Sequence, residues 1–139
     1  MAQYLVEPEV PGSFGDKTQG DFSKHPPVIE HLHFQFEGWL GDDLLESFPC
    51  FLVSKDLGRA LLASELTGFT LQDVEVSVSA TFIELYPNLV LPDFFWLKVS
   101  GMRDVDDISL NDGGVLLCSE TAMSIMRAFN LKSADVVVV

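Results

Sequence analysis

The sequence predicts a single α/β domain, with α+β as the alternative, in which helices cover a mixed central sheet of about five to seven strands. The first observation behind this prediction is a pattern that occurs twice: an apolar strand, a serine, an amphipathic helix and a further strand. Ser54 follows the apolar residues 50–53 in one copy, and Ser119 follows residues 115–118 in the other. The second observation is size, because 139 residues with 47% hydrophobic side chains are typical of one domain with a full core.

In both copies the serine hydroxyl can accept a hydrogen bond from a free backbone N–H group of the first helical turn. Apolar side chains at helical spacing follow each serine, with Leu57, Leu61 and Leu62 in the first copy and Ala122, Met123, Met126 and Phe129 in the second. Strand-like residues 73–77 and 136–139 complete the two strand–serine–helix–strand units.

The N-terminal part begins with a predicted strand over residues 3–7, which Pro8 and Pro11 end. Residues 12–27 show neither helical nor strand periodicity, so we expect an irregular arm or loop there; an arm that clasps a partner subunit in a homodimer is the alternative. Residues 28–37 carry the clearest strand signal, because apolar and polar side chains alternate along them.

His31 and His33 fall on the polar face of that strand, a spacing at which two imidazoles can bind zinc or another divalent metal. Two imidazoles do not make a site, and no spacing in the chain requires a third ligand. We therefore predict solvated or partner-facing histidines and no metal. A small hydrolase or metal-dependent enzyme that uses His31 and His33 is the alternative.

Residues 38–49 combine an aromatic side chain with acidic ones. We expect a short helical turn after Trp39, with Asp42 or Asp43 at its N-terminus. Trp39 is typical of a core or lid residue, but an aromatic ring near several carboxylates is also the composition of an interaction hot spot for a basic surface. The first candidate partner-binding site therefore consists of Trp39, Asp42, Asp43 and Glu46.

In the second half of the chain, Ser79 is predicted to cap a two-turn helix that Pro87 ends. The almost wholly apolar residues 94–99 are predicted to form a strand in the middle of the sheet, covered on both faces. Residues 111–114 read Asn-Asp-Gly-Gly, which predicts the turn of a hairpin between residues 107–110 and 115–118.

An acidic cluster of Asp104, Asp106 and Asp107 precedes this hairpin and is the second candidate patch for a basic partner. A calcium loop that starts at Asp104 needs Gly at its sixth position and Glu at its twelfth, where this chain has Ser109 and Val115. A calcium site is therefore not predicted.

Charge is the bulk property with functional content. Eight Lys and Arg residues against 21 Asp and Glu residues give a formal net charge of -13. Such a field repels nucleic acid and anionic membranes and attracts a basic protein partner; the alternative is that the acidity only maintains solubility. The sequence has no Gly-rich phosphate loop, Gly-x-Ser-x-Gly, Cys-x-x-Cys or His-Glu-x-x-His motif, so we predict no catalytic residues and no cofactor.

Location is suggested by what the chain does not contain. No apolar run approaches the roughly 18–20 residues needed to cross a bilayer, and the first residues lack the pattern of a signal peptide. Cys50 and Cys118 both fall in apolar strand-like runs. We therefore expect two reduced thiols in a cytoplasmic protein, with a Cys50–Cys118 disulfide as the alternative.

Residues 52–57 (Leu-Val-Ser-Lys-Asp-Leu), 66–69 and 73–76, together with the later 91–97 and 116–120, resemble small bacterial immunity proteins of polymorphic and contact-dependent toxin systems. In several of these families a valine–serine, helix, strand unit lies near the C-terminus, and the resemblance covers about residues 50–139. It implies a non-catalytic inhibitor that binds one toxin, often a basic nuclease. We therefore expect an immunity protein that neutralises a basic toxin through its acidic surface; a structural subunit of a homo-oligomer is the further alternative.

Overall fold

Strands dominate the structure. The computed structural model describes residues 2–139, in which thirteen strands and three helices form one small domain with antiparallel and parallel strand pairs. In chain order these elements are β1 (Gln3–Glu7), β2 (Gly12–Phe14), β3 (Gln19–Asp21), β4 (Val28–His31), β5 (His33–Phe36), β6 (Leu44–Ser47), β7 (Cys50–Ser54), α1 (Lys55–Ala63), β8 (Phe69–Gln72), β9 (Glu75–Val78), α2 (Ala80–Leu85), β10 (Phe94–Val99), β11 (Ile108–Leu110), β12 (Leu116–Ser119), α3 (Glu120–Met126) and β13 (Asp135–Val138).

The single central sheet expected from the sequence is not formed, because the strands divide among four sheets. Their strand orders are β11-β12-β1-β13, β6-β7-β10-β8, β2-β5-β9 and β3-β4. Of the strand pairs between named elements of residues 2–139, only β5–β9 is parallel. Short strands joined by tight turns favour antiparallel neighbours, since a parallel pair needs a long crossover connection. This mainly antiparallel arrangement is consistent with α+β.

The three serine caps are confirmed. The hydroxyl of Ser54 accepts a hydrogen bond from the Leu57 N–H at 3.3 Å, that of Ser79 from Phe82 N–H at 3.0 Å, and that of Ser119 from Ala122 N–H at 3.1 Å. Each helix begins at the residue after its serine. Local capping chemistry therefore determined these three positions, as the sequence predicted.

The two strand–serine–helix–strand units have the same layout, and each is a split β–α–β unit. In the first unit β7 and β8 flank β10, and in the second β12 and β13 flank β1; every one of these pairs is antiparallel. Each unit also begins with a hairpin, β6–β7 in one and β11–β12 in the other. β10, which lies between the strands of the first unit, precedes the second unit in the chain. β1, which lies between the strands of the second unit, precedes the first unit. The two units therefore exchange strands reciprocally.

Residues 12–27 are not an irregular arm. They contain β2, which pairs with β5, and β3, which pairs with β4. The rings of Phe14 and Phe22 meet edge to face with centroids 6.2 Å apart. Residues 28–37 are two strands rather than one, because the chain leaves the strand conformation at Leu32 between β4 and β5. The segment therefore folds back onto the strands that follow it.

Two further expectations about the strands were wrong. The acidic turn of helix expected after Trp39 is the strand β6, whose Leu44 and Leu45 are both fully buried and pair with β7. The strand expected at residues 73–77 is present as β9, but it does not complete the first unit; β8, which the sequence missed, follows α1 and takes that place. β8 and β9 belong to different sheets.

Two hydrophobic clusters lie on opposite faces of the sheet β6-β7-β10-β8. In β10, Leu97 belongs to the cluster that includes α1 and α3, whereas Phe94 and Trp96 belong to the aromatic cluster beside β5 and α2. The prediction that this strand is central and covered on both faces is confirmed. Cys118 lies in the first cluster and Cys50 in the second, both as buried free thiols.

None of the helices within residues 2–139 is long and apolar enough to span a membrane.

Candidate binding cleft beside Trp39

A cleft of about 620 Å³ lies where the segment after β1 passes the loop after β5. We call it the Trp39 cleft. Two glutamates, Glu9 and Glu37, contribute to its walls, and among the described residues its lining contains no Lys or Arg. The lining consists of Pro8, Glu9, Val10, Pro11, Gly12, Ser13, Glu37, Gly38, Trp39, Leu40, Tyr86 and Ser133.

Backbone hydrogen bonds hold the two walls together. The N–H groups of Glu37 and Gly38 both donate to the carbonyl of Pro11, at 2.8 and 3.2 Å. The carbonyl of Glu9 accepts from the N–H of Glu46 in β6 at 2.9 Å. Pro11 cannot donate to a strand ladder but its carbonyl can accept, so the proline-bounded segment leaves the sheet and closes one side of the cleft.

Trp39 has a fixed orientation in the cleft. The side chain is half-buried, its indole N–H donates to the carbonyl of Asp42 at 2.8 Å, and its ring meets Phe94 edge to face at 6.2 Å. The ring is therefore anchored to the aromatic core cluster on one side and lines the cleft with the rest of its surface. An aromatic ring held in this way can contribute contact area to a partner with little loss of conformational entropy.

Glu9 is a buried carboxylate on the wall of the cleft, with 7% of its surface exposed. Its Oε2 accepts a hydrogen bond from the N–H of Leu40 at 2.7 Å, whereas its buried Oε1 has no partner among the residues that the structure describes. Burial raises the pKa of Glu9, and the nearby Asp42 charge adds to this, while the hydrogen bond from Leu40 and the backbone of Asp42 lower it. An unpaired buried carboxylate oxygen is costly, so this position carries unused capacity to accept a donor.

Asp42 is fully buried below the loop that carries Trp39. Its Oδ2 accepts from the N–H of Ser133 at 2.9 Å, and its Oδ1 has no partner within residues 2–139. Burial is the largest cause that raises the pKa of Asp42, against hydrogen bonds from Ser133 that lower it. Asp42 therefore holds the loop to the segment before β13 and has no surface for a partner to contact.

Asp43 also attaches the loop that carries Trp39 to the segment before β13. Its Oδ2 accepts from the N–H of Asn130 at 2.8 Å, and its own N–H donates to the carbonyl of Asn130 at 2.9 Å. The side-chain amide of Asn130 also donates to the carbonyl of Gly41 at 2.9 Å. Both aspartates of the first candidate site thus tie residues 41–43 to residues 130–133.

Glu46 lies apart from these residues, half-buried on β6. Burial raises its pKa, with a further contribution from the charge of Glu7. Of the four residues in the first candidate site, the structure places Trp39 in the cleft, Asp42 beneath it, and Asp43 and Glu46 outside its lining.

Glu9, Glu37 and Tyr86 line the Trp39 cleft but were not singled out from the sequence. Glu37 is the last residue of the segment 28–37 that was predicted as a strand, and Tyr86 directly precedes Pro87, where a helix was predicted to end. Nothing in the local sequence of Glu9, which stands between two prolines, indicates that its carboxylate is buried. Their proximity results from contacts between residues distant in the chain.

The second candidate patch borders a separate cleft of about 550 Å³, whose lining also includes Arg103. Two of its three carboxylates accept hydrogen bonds within the chain. Asp106 Oδ2 accepts from the N–H of Met102 at 2.6 Å. Asp107 accepts from the Ser119 hydroxyl at 2.8 Å and the Thr67 N–H at 3.0 Å.

Asp104 is the exposed carboxylate of this patch and has a positive φ of 66°. The patch therefore presents Asp104 outward, whereas Asp106 and Asp107 hold its loop in place.

The two strand histidines are engaged separately. The exposed His31 contacts Glu75 at 3.0 Å through Nε2, and His33, expected on a polar face, is buried with 4% of its surface exposed. His33 Nε2 lies 2.7 Å from the hydroxyl of Ser77. No group of three or more His, Cys, Asp or Glu side chains within residues 2–139 is arranged to hold a metal ion.

The contacts of His33 decide its tautomer when the imidazole is neutral. The N–H of Lys17 donates to Nδ1 at 3.1 Å, so Nδ1 is the acceptor and Nε2 carries the hydrogen. That hydrogen points to Ser77, whose own hydroxyl donates toward Gln35 Oε1 at 3.5 Å. A general base for a serine needs the opposite arrangement, with a free Nε2 facing the hydroxyl. The pair thus has the geometry of a structural hydrogen bond.

Comparison with known proteins adds no family assignment. No protein-family model matches the chain, and no curated protein matches it.

Proposed function

We propose that this protein is a non-catalytic binding protein of the immunity type, which neutralises a basic toxin by binding it at the Trp39 cleft. The observation that supports this most directly is the composition of the cleft: two glutamates and two aromatic side chains with no cation, on a chain of net charge -13. Aromatic anchors and a complementary charge are the features that dominate binding energy and association rate at protein interfaces.

The rim of the cleft is apolar and exposed. Val10 is 65% exposed, Leu40 75% and Tyr86 42%. Single exposed apolar side chains are normal on a protein surface, but here three line the same acidic cleft. A partner that covers this rim removes apolar surface from water and strengthens the electrostatic interactions within the cleft.

The acidic charge outside the cleft is largely uncompensated. Within residues 2–139, ion pairs with Lys or Arg are formed by Glu75 and Asp56. In the proposal, this wider acidic field steers a basic partner toward the protein; it includes Asp43, Glu46, Asp104, Asp106 and Asp107. Asp42 and Asp43 hold the loop that presents Trp39.

The experiment is co-expression in bacteria with the product of the gene directly upstream. We expect that product alone to stop growth and this protein to restore it. The purified complex should dissociate more readily in high salt, because salt ions screen the attraction between exposed charges on the two proteins. Trp39→Ala should abolish the rescue, whereas Phe22→Ala, which removes an aromatic side chain that is 55% exposed elsewhere, should not. A rescue that survives Trp39→Ala, or a complex with salt-independent affinity, contradicts the proposal.

A subunit of a homo-oligomer is the second candidate, and the position of β13 favours it. β13 is the edge strand of its sheet, and Val137 and Val138 are 58% and 63% exposed. Exposed edge strands are templates for pairing with another strand. Sedimentation velocity should then show a dimer that Val137→Lys converts to monomer; a monomer at all concentrations removes this candidate.

A further inference from the structure

The Trp39 cleft does not stand alone on the surface. A second, apolar groove of about 360 Å³ adjoins it along α2, and we call it the α2 groove. Tyr86 lines both, so that one wall is shared between them. The α2 groove is lined by Val78, Phe82, Ile83, Tyr86, Pro87, Leu89 and Leu91, none of which carries a charge.

We infer that the two depressions together bind a partner segment in which an arginine side chain enters the Trp39 cleft and a neighbouring apolar side chain enters the α2 groove. This inference rests on the proposed function and specifies the partner's chemistry: a basic residue directly beside an apolar one. Tyr86 then separates the two side chains.

The acidic half of the site has two carboxylates at different depths. Glu37 is exposed, and its Oε2 accepts a hydrogen bond from the hydroxyl of Ser79 at 2.8 Å, which positions the carboxylate at the open side of the cleft. Glu9 lies below, nine-tenths buried, with its Oε1 unpaired. Glu37 can form the first ion pair with an entering cation. Glu9 supplies a second negative charge, and no donor within residues 2–139 bonds to its Oε1.

Guanidinium fits this site better than ammonium. Its planar group has five donors, pairs with carboxylates through two parallel hydrogen bonds, and stacks on aromatic rings. Trp39 and Tyr86 provide rings beside the two carboxylates. Oε1 of Glu9 is buried, so Glu9 acts on an entering guanidinium through its charge, whereas the exposed Glu37 is the carboxylate open to direct pairing.

The α2 groove exposes apolar side chains that a partner can cover. Ile83 is 59% exposed on the helix that forms the groove, and Tyr86 is 42% exposed at its end. A leucine-sized side chain placed in this groove removes apolar area on both partners from water, which favours binding.

The probe is a capped arginine–leucine dipeptide, titrated into the isotope-labelled protein and followed by NMR at the Trp39 indole N–H. We expect saturable shifts with an affinity about tenfold stronger than for the capped citrulline–leucine dipeptide, which has the same shape without the charge. The arginine–serine dipeptide should bind more weakly for lack of the apolar side chain. Equal binding of the arginine and citrulline peptides, or no saturable shift, overturns the inference.

Variants separate the two halves of the site. Glu37→Gln and Glu9→Gln should each remove most of the preference for arginine over citrulline, and Ile83→Ser should remove the preference for leucine over serine. Glu84→Gln is the matched control, because Glu84 is exposed on the same helix but lines neither depression. Loss of arginine preference in Glu84→Gln to the same extent would mean that only the overall charge matters.

The outcome is distinguishable from the test of the proposed function. Toxin protection that depends on Trp39 without arginine binding leaves the proposed function in place and removes this inference. Arginine-selective binding without protection against the neighbouring gene product removes the proposed function and leaves the arginine-binding site in place.

Discussion

Replacement of Glu9 by Gln should stabilise the protein at neutral pH. The wild-type carboxylate is 7% exposed and keeps one oxygen without a hydrogen-bond partner. Gln retains an oxygen that can accept from the Leu40 N–H and removes the buried charge. Gln still places a polar amide group where Oε1 lacked a partner, so the gain comes from removal of the buried charge. Burial of an incompletely paired polar group costs about 1–3 kcal/mol and more when it is charged, so we expect the free energy of unfolding to rise by about 1 kcal/mol. For a domain of this size that is an increase in Tm of about 3 °C.

The raised pKa of Glu9 determines how the stability gained by Glu9→Gln changes with pH. Burial raises the pKa of Glu9 above its ordinary value of 4.5, so the folded state binds the proton more tightly than the unfolded chain does. The stabilising contribution of that proton is present below pH 4.5 and is lost as the pH rises through the folded-state pKa. The difference between Glu9→Gln and the wild type should therefore be small at pH 4 and grow toward neutral pH.

Thermal and urea unfolding of both proteins from pH 4 to pH 8 measure this directly. Glu30→Gln is the matched control, since Glu30 is an exposed glutamate in β4 and its replacement should not produce the same pH-dependent gain. A Glu9→Gln protein that is less stable than the wild type at pH 7, or a difference that does not change with pH, would refute the reasoning. The same variant should bind the arginine dipeptide poorly, so a gain in stability would accompany a loss of binding.

Three further predictions follow from other parts of the fold. Ser119→Ala should lower the free energy of unfolding by about 1–2 kcal/mol, measured by urea denaturation, because it removes both the cap of α3 and the partner of Asp107. Asp43→Ala should raise the rate of hydrogen exchange at the Asn130 amide, read by NMR, since that N–H then loses its acceptor. Burial raises the pKa of Cys50 and of Cys118 to about 12, so a thiol reagent at pH 8 should label either only as fast as the protein opens, and full rapid labelling in the native state would contradict this.

The sequence predicts well those elements whose signals are local. Ser54, Ser79 and Ser119 each begin a helix, and the turn at residues 111–114 joins β11 to β12, with Asn111 Oδ1 accepting from the N–H of Gly113 at 2.9 Å. These features depend on residues within a few positions of one another. The strand at residues 94–99 was recognised for the same reason, since an apolar run carries its own signal.

The parts that were missed depend on distant pairing. β2, β3, β6 and β8 have three or four residues each, too few for a periodic pattern, and are strands because their partners hold them. The sequence predicts a short helical turn after Trp39, where Leu44 and Leu45 are instead buried in β6. In the candidate site, Trp39 was identified by its type, but Glu9 and Tyr86 reach it from positions about 30 and 47 residues away, which no local pattern can indicate.

The reciprocal exchange of β1 and β10 has a consequence for how the chain is made. β1 is synthesised before β2 to β10, whereas both of its neighbours, β12 and β13, are synthesised after them. β1 therefore lacks both of its strand partners while the elements between them are made. A nascent chain stalled before residue 116 should leave β1 open to proteolysis, even where β6, β7 and β10 have already paired.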